Sequence, residues 1–397
     1  MSARRVQLHF GDFVHPVYRD QLPAVPDGWS YAFTHPSLAD RAAPTKKIIE
    51  TGSRLGAARA VAERVGLRVL SAGGYVHRVP VRPLPDVELI HSAERLLRNP
   101  PVPYVLDLEH ADLFVLYQQA SWRRPWTRAI VERALLDERL RFLLPWSDAA
   151  RRSVLAVVSP ETARALEPKL RVVYPAVPLA AERPRERSSG PLRLLFVGTH
   201  FYEKGGVDAV LALREARKSH DVELDIVTYA PPEWAERMQS EPGLRLHAPA
   251  GKDFIEGLYA ASDALLFPSH MDTYGVVVGE AMGHGLPVIA PRHLALTETI
   301  REGESGLLFA PENMLWRSDT RCEFPHTLPV PDSYLRALER PSEGFVRGIA
   351  DAIVRLAQDR ELHARLAEGA WESARSGHLS IPHRRALLAE IYATAAS

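Results

Sequence analysis

At 397 residues the chain is too long for one ordinary core and suits two units of roughly 150–200 residues each. Lys plus Arg equals Asp plus Glu at 49 each, so no net field draws the chain to nucleic acid, and 46% hydrophobic with 25% charged residues is an ordinary globular composition. The single cysteine, Cys322, excludes a disulfide framework and a multi-cysteine zinc site and fits a reducing cytoplasm. No apolar run approaches the ~18 residues needed to span a bilayer, and Met1-Ser-Ala-Arg-Arg leads straight into a strand pattern instead of a signal peptide.

In chain order, Val6 to Phe13 predicts a first strand and Tyr31 to Phe33 a second; Pro23, Pro26 and Gly28 leave room between them for only a short helix. Ala57 to Val65 has helical periodicity and stops at Gly66, and Arg68 to Leu70 is strand-like before a turn. Asp86 to His91 and Tyr104 to His110 predict two adjacent buried parallel strands, each ending in histidine, with Pro100 to Pro103 breaking the chain between them. Residues 127–141 predict an Arg-rich amphipathic helix behind Trp122-Arg-Arg-Pro-Trp126. Basic residues interleaved with Trp suit an anionic membrane surface, although Trp and Arg at a helix start also serve packing and solvation. Ser147 or Asp148 caps a further helix, Leu155 to Pro160 reads as a strand, and Val172 to Val177 closes the first domain. Residues 178–191 are polar and aperiodic, the pattern of a linker.

The chemistry concentrates in Ala264 to Ala290. An apolar run bounded by Pro268 predicts a buried strand, Gly275 to Met282 a short helix closed by Gly283 and Gly285, and Pro287 to Ala290 a second strand. Asp272 lies in the loop of this βαβ unit and Glu280 follows eight residues later. Free backbone N–H groups near Tyr274 and Gly275 at the positive end of a helix make a phosphate site, and a carboxylate accepts both hydroxyls of a ribose or hexose. The loop therefore suits a nucleotide sugar. No Asp-x-Asp pair at a strand end and no His cluster stands where phosphates would bind, so no metal and no further cofactor is expected. No G-x-G-x-x-G opens either half, which argues against NAD chemistry. Pro311 to Gly344 has five prolines and no period and reads as an insertion; helices resume at Phe345 to Gln358, Glu361 to Ser376 and Pro382 to Ala396.

A small-residue strand ending in Pro268-Ser269, an acid, and then Glu280-Ala-Met-x-x-Gly-x-Pro-Val resembles the signature of the retaining GT-B glycosyltransferases of family GT4. The likeness extends upstream to Leu194-Leu-Phe-Val-Gly198-Thr-His-Phe-Tyr-Glu-Lys204-Gly205 and to Ala260-Ala-Ser-Asp263-Ala. Downstream it takes in Thr297-Glu298 and Glu302-Gly-Glu-Ser-Gly306-Leu-Leu-Phe, so the match runs in register from Leu192 to Phe309. Two positions depart from the family: Asp272 replaces a Glu, and Thr199 replaces an Arg. In the first half the family's Gly-Gly loop is reduced to Gly11.

The resemblance implies an α/β, GT-B fold with two Rossmann-like domains facing across a cleft and a C-terminal helix crossing back to the first. Residues 1–177 would be the acceptor-side domain, 178–191 the linker, 192–376 the donor domain with insertion 311–344, and 377–397 the returning helix. It also implies hexosyl transfer, with retention, from a nucleotide-diphosphate sugar to a hydroxyl of a glycan, lipid-linked or small-molecule acceptor. Lys204 and the Gly275 helix end would hold the diphosphate, with Gly198 and Thr199 lining it. Asp272 would orient the sugar, Glu280 the ribose and His110 the far side of the sugar, while Tyr274 would stack on the donor or cover the helix start and Glu298 would contact the donor or support the site. A sugar-nucleotide epimerase, a phosphorylase, or a weakened nucleotide-sugar-binding subunit would share the fold. Location follows as cytoplasmic, with peripheral contact at the inner face of a membrane through 122–141.

Overall fold

The computed structural model describes residues 3–10, 15, 17–33, 73–187, 189–322 and 330–397. The chain divides into two compact units, Met1–Pro175 with Asp319–Pro331 and Pro382–Ser397, and Ala176–Ser318 with Asp332–Ile381.

The first unit contains β1 (Arg4–His9), β2 (Trp29–Ala32), β3 (Arg78–Pro80), β4 (Leu89–Ala93), β5 (Leu96–Arg98), β6 (Tyr104–Leu108) and β7 (Leu140–Pro145). Five of them form a parallel sheet in the order β2-β1-β4-β6-β7, and β3 pairs with β5 apart from it. Every residue of β4 and β6 is buried, His91, Ser92 and Asp107 included, so these polar groups need partners inside the fold. On one face Ile90, Leu106 and Leu143 pack against Val131 and Leu135 of the helix Pro125–Leu135 and Val154 of the helix Asp148–Val157. On the other, Val6, Leu89, Val105 and Leu144 meet Leu388, Ile391 and Tyr392 of the final helix, Ile381–Ala395. The last helix of the chain thus supplies core to the first sheet.

A charge cluster sits under that helix. Asp107, fully buried, accepts from Arg384 Nη2 at 3.0 Å, and Arg384 Nη1 donates to the carbonyls of Val173 and Tyr174 at 3.2 and 3.0 Å. His91 Nε2 lies 3.1 Å from Asp107 Oδ2, and its Nδ1 is 2.6 Å from the Tyr392 hydroxyl. Burial alone would raise the Asp107 carboxyl, but His91 and Arg384 outweigh it and hold the group below its ordinary value.

Several elements differ from the sequence reading. β4 starts and ends later than expected, so His91 is a core residue within the strand and not its end. β6 stops at Leu108, and His110 instead caps the 3-10 turn Ala111–Val115. The Arg-rich helix occupies Pro125–Leu135, not 127–141; Asp137 turns the chain by accepting from the Arg139 N–H, and β7 takes over at Leu140. Leu155 to Val157 continue the Asp148–Val157 helix instead of forming a strand. Ser147 caps that helix, and Ser159 with Pro160 at the first helical position starts the next one, Pro160–Leu166. The expected helix Ala57–Val65, the strand Arg68–Leu70 and Gly11 lie outside the described residues.

The second unit is a six-stranded parallel sheet of β8 (Leu192–His200), β9 (Val222–Tyr229), β10 (Leu244–His247), β11 (Ala264–Leu266), β12 (Val288–Pro291) and β13 (Gly306–Phe309), ordered β10-β9-β8-β11-β12-β13. From β8 the chain winds outward through β9 and β10, then returns to β11 and winds the other way. The carboxyl ends of β8 and β11 are therefore the topological switch point, where open α/β sheets bind ligands. Residues 178–187 lie along this unit: the Ala180 N–H donates to the Gly283 carbonyl, Trp371 Nε1 to Ala181 O, and Arg187 Nη1 to Ala357 O at 2.6 Å. Within 311–344 the helix Asp332–Leu338 forms, its Tyr334 hydroxyl donating to Asn313 O at 2.8 Å. No helix of the described residues is long and apolar enough to cross a membrane.

Removing one member of the buried pair leaves the other charge stranded. Arg384→Ala is expected to lower stability by about 3–5 kcal/mol in denaturant unfolding, while Asp107→Leu combined with Arg384→Met recovers most of it. Because the folded Asp107 value is depressed, its contribution is full above the unfolded carboxylate value and is lost as pH falls through the folded one.

Candidate active site

β8 delivers Gly198 and then the exposed Thr199 and His200 to the switch point. The chain turns there: Lys204 N–H donates to His200 O at 2.9 Å and Gly206 N–H to Phe201 O at 2.7 Å, after which the helix Gly206–Ala216 begins. Gly205 has φ +79°, and a Cβ on it would stand 2.1 Å from the Pro268 carbonyl oxygen, so this turn presses directly on the end of β11. Gly198 is needed for contact as well, since a Cβ there would lie 2.8 Å from Lys204 Cγ. The Lys204 stem crosses the strand end where only glycine leaves room.

The loop after β11 closes on the same place. His270 and Met271 N–H groups both donate to Glu203 O, at 2.9 and 3.2 Å. Lys204 Nζ donates to Asp272 Oδ2 at 2.6 Å and to Met271 O at 2.8 Å, and Ser269 Oγ donates to the same Asp272 oxygen at 2.7 Å. Both charged side chains keep some exposure, 18% for Lys204 and 16% for Asp272, so a solute reaches them. A cation and a hydroxyl thus meet on one carboxylate oxygen, an arrangement in which an anion can exchange for the carboxylate on the lysine.

The helix Val276–Gly283 starts at Gly275, and its first-turn N–H groups face outward from the helix end, as they do in any helix. Glu280, half-buried, accepts from the Tyr259 hydroxyl at 3.0 Å. Burial and the neighbouring Glu280 push the Tyr259 phenol well above its ordinary value, so it remains a donor and fixes the carboxylate. Tyr259 is itself stacked on His284, ring centroids 5.1 Å apart, and His284 Nε2 lies 2.6 Å from Glu256.

The structure brings Gly198, Lys204 and Asp272 into one cluster and puts Gly275 and Glu280 on one helix. Tyr274 is buried, Glu298 is half-buried on the short helix Leu296–Thr299, and Thr199 is exposed. His110 belongs to the first unit. Its Nε2 faces the Thr320 carbonyl at 3.1 Å, and its Nδ1 accepts from the Asp112 N–H at 3.2 Å and lies 3.3 Å from the Asp112 carboxylate. Burial lowers its pKa, but Asp112 and then Glu109 outweigh burial and raise it. Sequence reasoning passed over Ser269 and Tyr259. Ser269 was signalled by its position three residues before the acid; nothing in the sequence ties Tyr259 to Glu280, because that contact depends on how two helices pack.

Residues 191–316 match the family model Glycosyl transferases group 1. Glycogen synthase of Mycobacterium tuberculosis is 34% identical over 143 residues, and the D-inositol 3-phosphate glycosyltransferase of Corynebacterium kroppenstedtii is 30% identical over 145. The matched stretch is 34% of this chain and 34% of the former relative, and 32% of each in the latter case, so the chain spans about a third of the curated relatives it matches. Across nearly the whole chain the fold is that of GT-B glycosyltransferases. Anabaena HepE, solved with UDP and glucose, aligns over 98% of this chain and 99% of its own at TM-score 0.59 and 14% identity. Sucrose-phosphate synthase of Thermosynechococcus elongatus aligns over 99% and 98% at TM-score 0.60 and 15% identity. The matched residues include β8, β11 and every member of the Lys204–Ser269–Asp272 cluster.

Gly205→Ala places a side chain in a left-handed conformation against a backbone carbonyl. It is expected to cost about 1–3 kcal/mol in thermal unfolding, or more if the Pro268 loop is displaced.

Proposed function

We propose that this protein transfers a hexosyl unit from a nucleotide-diphosphate sugar to a hydroxyl of a glycan, lipid-linked or small-molecule acceptor, with retention at the anomeric carbon. The observation that carries the reading is the Lys204–Ser269–Asp272 cluster beside the Gly275 helix start, at the switch point of a group 1 domain. The donor diphosphate takes over Lys204 Nζ and meets the first-turn N–H groups, and both stabilise the charge that grows on the leaving phosphate as the bond from the anomeric carbon breaks. The acceptor oxygen forms its bond to that carbon on the same face, and its proton passes to the departing phosphate oxygen. Asp272, released from Lys204 and still held by Ser269, accepts a sugar hydroxyl; Glu280, fixed by Tyr259, accepts the ribose diol. No cofactor beyond the donor enters this scheme.

A weakened nucleotide-sugar-binding subunit is the second reading, favoured by Thr199 in place of a cation and by an Asp272 already engaged by Lys204. Incubation with a panel of nucleotide sugars separates the readings: nucleotide release with acceptor supports transfer, isomerised sugar marks an epimerase, and tight binding without turnover marks a binding subunit. UDP-sugars lead the panel because HepE was solved with UDP. Lys204→Ala is expected to cut turnover about 10²–10³-fold. Glu280→Gln is expected mainly to weaken nucleotide binding and Asp272→Asn mainly to lower turnover; unchanged nucleotide affinity in both would remove the carboxylates from the donor site.

The same proposal includes peripheral membrane contact through the Pro125–Leu135 helix and its flanks. Trp122 packs into the core, but Trp126, Ile130 and Leu136 are 49%, 38% and 42% exposed, among the exposed Arg123, Arg124, Arg128 and Arg133. Sedimentation with anionic vesicles is expected to carry the protein down in low salt, and Trp126→Ala with Arg128→Ala to weaken it. Equal sedimentation with neutral vesicles would contradict this contact.

A further inference from the structure

His270 lies in the loop that carries Ser269 and Asp272, and its ring is 2% exposed. Nδ1 is 2.8 Å from the Glu312 carbonyl oxygen, and Nε2 is 2.9 Å from Asp208 Oδ2 in the first turn of the Gly206–Ala216 helix. A carbonyl and a carboxylate only accept, so both ring nitrogens must supply a proton, and a neutral imidazole has one N–H. A neutral ring would leave either the buried Asp208 oxygen or the part-buried Glu312 carbonyl without a donor, and Asp208 Oδ1 already has no partner among the described residues. The His270 backbone is tied down as well: its N–H donates to Glu203 O at 2.9 Å, and its carbonyl accepts from the Leu315 N–H at 2.9 Å.

We infer that His270 is a positioning residue of the candidate site, a buried imidazolium that ties the Ser269–Asp272 loop to Asp208 on the helix after Lys204 and to Glu312. Its place between the two sides of the cluster gives it this role. Asp208 follows Lys204 by one helical turn, and Asp272 follows His270 by two residues, so the ring spans the two elements whose side chains meet at 2.6 Å. The charged groups that face the ring are Asp208 and Glu312; the helix Glu343–Gln358 presents the Phe345 ring at 5.3 Å, and the helix Asp332–Leu338 presents Tyr334 to the His270 carbonyl. Burial lowers the His270 pKa, but Asp208 and Glu312 outweigh it and raise the value. With the folded value above the unfolded one, the tie is full below the unfolded value of ~6.5 and is lost as pH rises through the folded value.

That His270 anchors the loop does not depend on what the loop binds; that it thereby sets donor affinity rests on the proposed function. The test uses full-length, ligand-free protein with ¹⁵N-labelled histidine and ¹³C-methyl-labelled methionine, with His270→Gln and Met271→Leu assigning the two signals. Both His270 ring nitrogens are expected to carry protons at pH 7, the Met271 methyl to titrate with the same midpoint, and Asp208→Asn to lower that midpoint by about one unit or more. UDP affinity of the wild type, relative to His270→Gln, is expected to fall about tenfold across the transition. One protonated nitrogen at pH 7, or a Met271 methyl that ignores the His270 titration, overturns the inference. If His270→Gln fails to fold, Asp208→Asn alone carries the comparison. Both resonance results without UDP, GDP or ADP binding at any pH would sink the donor reading and leave the loop anchor standing.

Discussion

The close stacking of the Gly205 turn on the Pro268 carbonyl is the constraint on which the site depends. It exists because β8 and β11 are neighbours in the sheet yet send their chains in opposite directions, so the loops after them share one small space. Any side chain at residue 205 would part them. With the loops pressed together, Lys204 from one reaches Asp272 and the Met271 carbonyl of the other, and Glu203 supplies the carbonyl that collects the His270 and Met271 amides. The first loop is shaped by its own turn hydrogen bonds, from the Lys204 and Gly206 N–H groups to the His200 and Phe201 carbonyls, and the second is tied to it through Glu203.

Both units bury a carboxylate and balance it with a cation from a different element. In the first, Asp107 of β6 meets Arg384 of the final helix and His91 of β4; in the second, Asp208 meets His270. Such pairs contribute little when complete and cost much when broken, so their value is in fixing which surfaces meet. Asp107–Arg384 selects where the last helix lies on the first sheet, a contact that Leu388 and Ile391 would make with less specificity. Asp208–His270 similarly selects the position of the loop bearing Asp272.

The second unit was legible in the sequence because its strands, glycines and acids fall in local register: Gly198, Lys204, Gly205, Asp272, Gly275 and Glu280 are all placed by turns a few residues long. The first unit was less legible. There the sequence carried His at two strand ends, but the sheet register set His91 within β4 and His110 beyond β6. The Arg-rich helix was overextended because Leu140 and Phe142 continue an apolar period that the Asp137 turn interrupts. His270 and Tyr259 escaped notice for another reason: their partners Asp208 and Glu280 are 62 and 21 residues away, and only packing joins them. Asp272 shows the limit most clearly. Its type and position were plain, while its bond to Lys204 was not.

A crystal structure with UDP bound shows whether this cluster receives a nucleotide diphosphate. A phosphate oxygen of the diphosphate is expected within ~3 Å of Lys204 Nζ and of an N–H in the first turn after Gly275, with the ribose hydroxyls on Glu280. UDP bound elsewhere, or Lys204 still paired with Asp272 and touching no phosphate, would contradict it.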